Sequence, residues 1–152
     1  MPLKNGTKAP EIDLESTSGD RFVLSKNMAG KPCIIYFYPK DFTPGCTEEA
    51  CTFRDEFSEF RNLDVPVFGI SRDSIKSHLK FKEQHNLPFE LLSDPKGAVC
   101  KKYDALVPVI GIPKRLTYLI DQEGNIAASY QDMFGAANHI SEMIKFLKDA
   151  NN

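Results

Sequence analysis

The chain has 152 residues, of which 41% are hydrophobic and 26% charged, and its formal net charge at pH 7 is −2. These values predict one domain over residues 1–152 that buries roughly two thirds of the surface of the unfolded chain. The absence of a long lysine and arginine block argues against nucleic acid as a partner. No apolar run approaches the ~20 residues of a membrane span, and the first residues lack the apolar core of a signal peptide. We therefore expect a cytoplasmic protein that has no membrane contact.

Apolar runs and turn residues alternate along the chain in a pattern typical of an α/β domain. In chain order they predict a hairpin at 12–14 and 22–24, a strand at 33–38, a helix from 44, a strand at 65–71, a helix at 75–84, a strand at 89–92, a helix at 96–103, a hairpin at 116–120 and 126–130, and a helix at 137–148. This order predicts a three-layer α/β/α domain with a mixed central sheet and an N-terminal β-hairpin.

The least regular stretch is the apolar segment 106–113, which leads to Arg115. We expect it to pack on the core as a rim. The alternative is a surface that docks a partner.

The helix that begins at Pro44 carries Cys46 in its first turn. Thr43 suits the N-cap position, and proline suits the first helical position because its missing N–H and fixed φ cost nothing there. Free N–H groups and the positive end of the helix dipole stabilise a thiolate at this place. Cys46 shares an apolar face with later helix residues, including Phe53 and Phe60, so it should be buried. We interpret it as a nucleophile.

A second cysteine, Cys51, lies on the polar side of the same helix, where we expect it to face solvent. Helix residues five apart have Cα atoms roughly 8 to 9 Å from each other, whereas a disulfide needs about 4.4 to 6.8 Å. A bond from Cys46 to Cys51 would therefore require the helix to unwind, most easily at Pro44 and Gly45. On spacing alone, the favoured interpretation of Cys51 is a small surface residue.

Residues 36–51, YFYPKDFTPGCTEEAC, closely resemble the active-site segment of the peroxiredoxins, in the bacterioferritin-comigratory or Q-type branch. Within it, Pro39-x-x-x-Thr43-x-x-Cys46 matches the family signature. Further matches are Gly30-Lys31, Phe53-Arg54-Asp55, Ser93-Asp94-Pro95 and Arg115-x-Thr117-Tyr118-Leu119-Ile120-Asp121-x-x-Gly124. The resemblance covers nearly the whole chain. It implies a thioredoxin-like fold and a thiol peroxidase that reduces hydrogen peroxide and organic hydroperoxides without a metal or bound cofactor.

The resemblance also implies roles for particular residues. Cys46 would attack the peroxide and become a sulfenic acid. Thr43 would offer its hydroxyl to the thiolate and the peroxide, and Arg115 would stabilise the charge that develops on oxygen. Pro39 would cover the sulfur and restrict water. Glu49 matches the position that orients the arginine; a solvated helical glutamate is the alternative.

In this branch the cysteine five residues after the nucleophile resolves the sulfenic acid, which implies that Cys51 forms a disulfide with Cys46. Thioredoxin would reduce this disulfide, with a glutaredoxin as the alternative, and the branch implies a monomer. Cys33 and Cys100 are expected to be buried apolar residues. Cys100 nevertheless stays open as the resolving residue, because some relatives place that thiol in a distant helix.

Other functions fit the sequence less well. A general thiol-disulfide oxidoreductase usually carries Cys-x-x-Cys, whereas four residues intervene here. A redox sensor or chaperone that binds clients through the unwound helix is the rival from another class. The three histidines, His78, His85 and His139, are scattered, which argues against a zinc or iron site.

Overall fold

The computed structural model describes residues 2–131 and 136–150. These residues form a seven-stranded sheet and six helices. The strands are β1 (Asp13–Ser16), β2 (Arg21–Val23), β3 (Cys33–Phe37), β4 (Val67–Ser71), β5 (Glu90–Ser93), β6 (Leu116–Ile120) and β7 (Ile126–Gln131). The helices are α1 (Leu24–Asn27), α2 (Pro44–Asp55), α3 (Phe57–Asn62), α4 (Ile75–His85), α5 (Ala98–Lys102) and α6 (Ala136–Ala150).

The sheet is mixed, and its strand order is β2-β1-β5-β4-β3-β6-β7. The three central strands β3, β4 and β5 run parallel. The β6–β7 hairpin continues the sheet antiparallel to β3, and the N-terminal β1–β2 hairpin adds antiparallel to β5. Residues 38–43 follow the carboxyl end of β3, one of the parallel strands, and lead into α2.

Both faces of the sheet are covered, as the apolar run of β3 predicts. Side chains of β3 alternate between two core clusters: Ile34 and Tyr36 enter one, and Cys33, Ile35 and Phe37 enter the other. The first cluster contains residues of α2, α3, α4 and α6, and the second contains residues of α1 and α5. The predicted three-layer α/β/α class with a mixed sheet and an N-terminal hairpin is confirmed.

The helix predicted to run from Pro44 through Phe60 is interrupted. It ends at Asp55, and a second helix begins at Phe57, because Glu56 takes φ −96° and ψ 8°. Phe53, before the interruption, and Phe60, after it, are both buried, and their ring centroids lie 5.9 Å apart. The apolar spacing is the same across both helices, so periodicity could not reveal the break.

The segment 106–113 does not pack along the core as expected. Leu106 packs against the second core cluster and pairs with Pro113, but Val109 and Ile110 are 107% and 66% exposed. The segment closes on itself through backbone hydrogen bonds, including Gly111 N–H to Val107 O at 3.0 Å. Its tip therefore projects into solvent, and only its base is a rim.

None of the helices in the described part of the chain has the length and apolar composition of a membrane span.

Candidate active site

The turn from β3 into α2 places Cys46 at the start of a helix. Thr43 occupies the N-cap with extended backbone angles, φ −76° and ψ 149°, and Pro44 is the first helical residue. The expected side-chain cap is absent, since the Thr43 hydroxyl donates to Lys40 O at 2.8 Å and accepts no bond from the helix. This leaves the first-turn N–H groups of α2 without a side-chain partner, close to the sulfur.

Cys46 is buried, with 1% of its surface exposed, on the side of α2 that faces the first core cluster. The guanidinium of Arg115, directly before β6, reaches it and donates from Nη2 to Sγ at 3.4 Å. A cation at this distance stabilises a thiolate over a neutral thiol. Hence two residues 69 positions apart in sequence are brought together by the β3–β6 pairing.

Glu49 lies one turn after Cys46 and faces the interior, not solvent. Arg115 Nη1 donates to its Oε1 at 2.9 Å, and only 5% of the Glu49 side chain is exposed. Burial raises the pKa of Glu49 to about 7 even though Arg115 pulls it down. Partial burial opposes the charge on Arg115, but Glu49 and Cys46 outweigh that effect and raise the pKa of the guanidinium.

Gly45 allows the arginine to approach, a function that sequence reasoning missed. A Cβ on this residue would lie 2.9 Å from Arg115 Nη2. The sequence alone assigns Gly45 only to the unwinding of the helix start. The sequence does carry a signal for this role. A glycine in a helix is unfavourable by about 1 kcal/mol relative to alanine, so its place beside the nucleophile indicates that a side chain there would be in the way.

The second cysteine of the helix, Cys51, is half-buried, so the expectation that it faces solvent freely is wrong. Its Sγ lies 3.8 Å from His85 Nδ1, at the end of α4. Packing of α4 beside α2 explains the difference, because helical periodicity alone does not show which neighbour covers a polar face. Cys46 and Cys51 are both free thiols in this structure.

Comparisons with known proteins place this chain in one family. A model described as the AhpC/TSA family matches residues 5–129. The chain is 40% identical over 156 residues to peroxiredoxin Bcp of Bacillus subtilis, covering 98% of each protein. The chain belongs to the AhpC/TSA family. Within it, the chain is a peroxiredoxin of the Bcp or Q-type branch and a thiol peroxidase.

Solved peroxiredoxin structures share its fold. Peroxidoxin BcpB from Mycobacterium tuberculosis superposes with a TM-score of 0.90 at 31% identity, covering 97% of both chains. The bacterioferritin comigratory protein of Xanthomonas campestris superposes with a TM-score of 0.87 at 30% identity, and the match covers 98% of this chain and 100% of that one. That structure is described in trapped intermediate and ligand complexes that bear on alkyl peroxide reduction. The thioredoxin-like peroxiredoxin fold implied by the sequence is confirmed.

Two residues of the peroxiredoxin motif have no described contact with the sulfur. Pro39 is half-buried directly before the exposed Lys40, and Thr43 is half-buried with its hydroxyl on Lys40 O. Both lie in the segment that carries Cys46, Pro39 following β3 and Thr43 preceding α2. The hydroxyl bond of Thr43 leaves its oxygen lone pairs able to accept a further hydrogen bond.

The same segment is anchored by a buried carboxylate that sequence reasoning missed. Asp41 is 3% exposed, and its Oδ1 accepts a hydrogen bond from the Tyr38 hydroxyl at 2.6 Å. Its Oδ2 accepts from Ser77 Oγ at 2.8 Å and lies 2.7 Å from His78 Nδ1. Asp41 therefore joins the active-site segment of this peroxiredoxin to α4.

This cluster includes the group among the described residues that best fits a metal ion: Asp41, Asp73 and His78 place ligand atoms within 4.8 Å of one another. Those atoms are engaged with protein groups, however. His78 Nε2 donates to Leu92 O at 3.0 Å, and Asp73 Oδ2 accepts the Asp41 N–H at 3.0 Å. The side chain of His139 lies outside the described residues.

The other two cysteines are fully buried, as expected, and both belong to the second core cluster. Burial raises the pKa of Cys33 to about 12. Burial raises the pKa of Cys100 well above its ordinary value, and the nearby Asp94 raises it further. Both thiols are thus held neutral, on the face of the sheet opposite Cys46.

Proposed function

We propose that this peroxiredoxin reduces hydroperoxides through a cycle in which Cys46 is the nucleophile and Cys51 the resolving thiol. The observation that carries this proposal is the 3.4 Å hydrogen bond from Arg115 to the Cys46 sulfur at the first turn of α2. Of the four cysteines, it is Cys46 that combines a helix start with a guanidinium partner among the described contacts.

In the first step the Cys46 thiolate attacks the terminal oxygen of the hydroperoxide. The S–O bond forms, the O–O bond breaks, and an alcohol or water leaves after taking a proton. Arg115 would donate to the oxygen on which charge develops. Thr43, whose proton is held by Lys40 O, would accept a hydrogen bond from the peroxide O–H, and Pro39 would limit water around the sulfur.

Glu49 acts through Arg115 in this proposal. Its carboxylate engages Nη1, which leaves Nη2 directed at the sulfur. A planar guanidinium fixed at one nitrogen presents its other donors in a defined direction. Glu49 is therefore a positioning residue, whereas Arg115 and Cys46 contact the reacting atoms.

In the second step Cys51 attacks the Cys46 sulfenic acid. The first turns of α2 must unwind to bring the two sulfurs together, since an intact helix separates them too widely. Cys100 is a poor alternative, because it is buried on the opposite face of the sheet with its thiol held neutral. We propose that thioredoxin, or a glutaredoxin in its place, reduces the disulfide of a monomeric, cytoplasmic protein.

A peroxide-consumption assay with thioredoxin, thioredoxin reductase and NADPH tests the cycle. Cys46→Ser is expected to abolish turnover, and Cys51→Ser to allow one oxidation without recycling. Cys100→Ala is the matched control and should cycle as the wild type does. Undiminished cycling of Cys51→Ser would contradict its role, and slow oxidation of the wild type without turnover would favour a redox sensor.

A further inference from the structure

Cys51 lies where the end of α2 meets the end of α4. Its sulfur is 3.8 Å from His85 Nδ1, a distance at which a thiol can donate to an imidazole nitrogen. Both residues are half-buried. The ring of Phe81 packs edge-on against His85, with centroids 5.2 Å apart, so one side of the imidazole is fixed by an apolar contact.

Arg54 holds these two helix ends together. Its Nη1 donates to the backbone oxygen of His85 at 2.7 Å, and its Nε donates to Asp55 at 3.0 Å. The hydrogen bond to Asp55 raises the pKa of Arg54, burial opposes this, and the nearby Cys51 raises the pKa further. The part of α2 that follows Cys51 is therefore attached to α4, and a cation lies near the sulfur.

We propose that His85 is the general base of the resolving step and that Arg54 keeps Cys51 in place while the helix before it unwinds. This proposal rests on the proposed function, because it requires a sulfenic acid on Cys46. Residues 44–50 would then unwind, while Cys51 stays in a fixed position as the attacking nucleophile.

The chemistry balances without a further oxidant. His85 Nδ1 takes the proton of the Cys51 thiol, and the resulting thiolate attacks the Cys46 sulfur. The S–S bond forms and the S–O bond of the sulfenic acid breaks. The departing hydroxide takes the proton from the imidazolium and leaves as water, so the two thiols carry the two-electron oxidation that the peroxide supplied.

The charged groups near His85 are paired with other charged groups. From α2, the groups that face it are Cys51 and the cation of Arg54, with Asp55 engaged by that arginine. On its own helix, Lys82 is paired with Glu90 of β5 at 3.1 Å. His85 itself lies in the last turn of α4.

The test is the rate of disulfide formation in His85→Gln, which keeps a polar side chain but cannot take the proton. The protein is mixed with hydrogen peroxide, quenched with a thiol alkylating reagent and analysed by mass spectrometry. An unassisted thiol is only a few per cent ionised near neutral pH, so we expect resolution to slow by about 10- to 30-fold at about pH 7. The deficit should largely disappear at about pH 9, where hydroxide ionises the thiol.

Gln84→Ala, which alters an exposed neighbour on the same helix, is the matched control and should resolve at the wild-type rate. His85→Asn provides a second variant if glutamine disturbs folding. Wild-type resolution rates in the His85 variants, or an equal deficit at both pH values, would overturn the proposal. Failure of Cys46 to form a sulfenic acid at all would instead refute the proposed function.

Discussion

Arg115 lies so close to Gly45 that it limits the size of the residue beside the nucleophile. Gly45→Ala would put a Cβ 2.9 Å from Arg115 Nη2. The guanidinium is the flexible end of a side chain, so it would move away from the sulfur while the helix gains up to about 1 kcal/mol from the alanine. We expect a protein at least as stable as the wild type that forms the Cys46 sulfenic acid more slowly.

Measuring that first step in a Cys51→Ser background separates it from any effect of a stiffer helix on unwinding. Stopped-flow peroxide consumption and thermal unfolding of the same samples give the two quantities. A Gly45→Ala protein that reacts with peroxide as fast as its parent would show that the close approach of Arg115 is unimportant.

Arg115 itself makes two separable hydrogen bonds, to Cys46 and to Glu49. Arg115→Ala removes both, and we expect the rate of the peroxide step to fall by about 10²- to 10³-fold, the usual cost of losing a donor to a developing oxyanion. Arg115→Lys keeps the charge but cannot make the forked contact, so its rate should lie between the two. Equal rates in all three proteins would exclude the guanidinium from the reaction.

At the scale of elements, the segment between β3 and α2 depends on Asp41 for its attachment to α4. Asp41→Ala leaves Tyr38, Ser77 and His78 without their buried acceptor. Removing one partner of such a buried polar cluster costs about 3 to 5 kcal/mol. We therefore expect urea unfolding to report a loss of that size.

Asp20→Ala, at an exposed turn, is the control and should change the free energy of unfolding by less than about 0.5 kcal/mol. The loss of unfolding free energy in Asp41→Asn should lie between those of Asp41→Ala and Asp20→Ala, since an amide keeps an acceptor but loses the charge. A stable Asp41→Ala protein would contradict the anchoring function of this carboxylate.

The order of the seven strands and of helices α2, α4, α5 and α6 could be predicted from the sequence, because apolar runs and apolar spacing mark them. The four-residue helix α1 (Leu24–Asn27) was missed, because it is too short to show a helical period. The break at Glu56 could not be predicted either, since the spacing of Phe53 and Phe60 is continuous across it. The exposed tip at Val109 was also missed, because an apolar composition does not distinguish a loop that packs on the core from one that closes on itself.

For the molecule as a whole, burial of Glu49 predicts a dependence of stability on pH. Its pKa is about 7 in the folded state against an ordinary value of 4.5. Between these values the folded protein holds a proton that the unfolded chain has lost, so the free energy of unfolding falls as pH rises through this window. A difference of about 2.5 pH units at about 1.4 kcal/mol each gives about 3.5 kcal/mol over the whole window.

Glu49→Gln removes this titration, so the difference in unfolding free energy between the two proteins isolates it from other groups. Chemical denaturation from about pH 4.5 to pH 7.5 should show the wild type losing about 3 kcal/mol relative to the variant. Parallel pH profiles would mean that Glu49 is ionised throughout, like an exposed glutamate.

Much of the site's geometry depends on contacts between residues that are distant in sequence. Cys46 could be predicted because a helix start and a long motif surround it locally. The contacts of Arg115 with Gly45, of Asp41 with His78, and of Cys51 with His85 could not be derived locally, because each joins residues 34 or more positions apart. Only the packing of α2 beside α4 and the pairing of β3 with β6 bring them together.

The central claim, a cycle between Cys46 and Cys51, is tested most directly by mapping disulfides after treatment with one equivalent of peroxide. Trypsin cleaves after Lys40 and Arg54, so both thiols lie in the single peptide 41–54. We predict that this peptide loses two hydrogens and resists alkylation while Cys100 stays alkylable. A cross-link from 41–54 to the Cys100 peptide, or to a second copy of 41–54, would contradict the account.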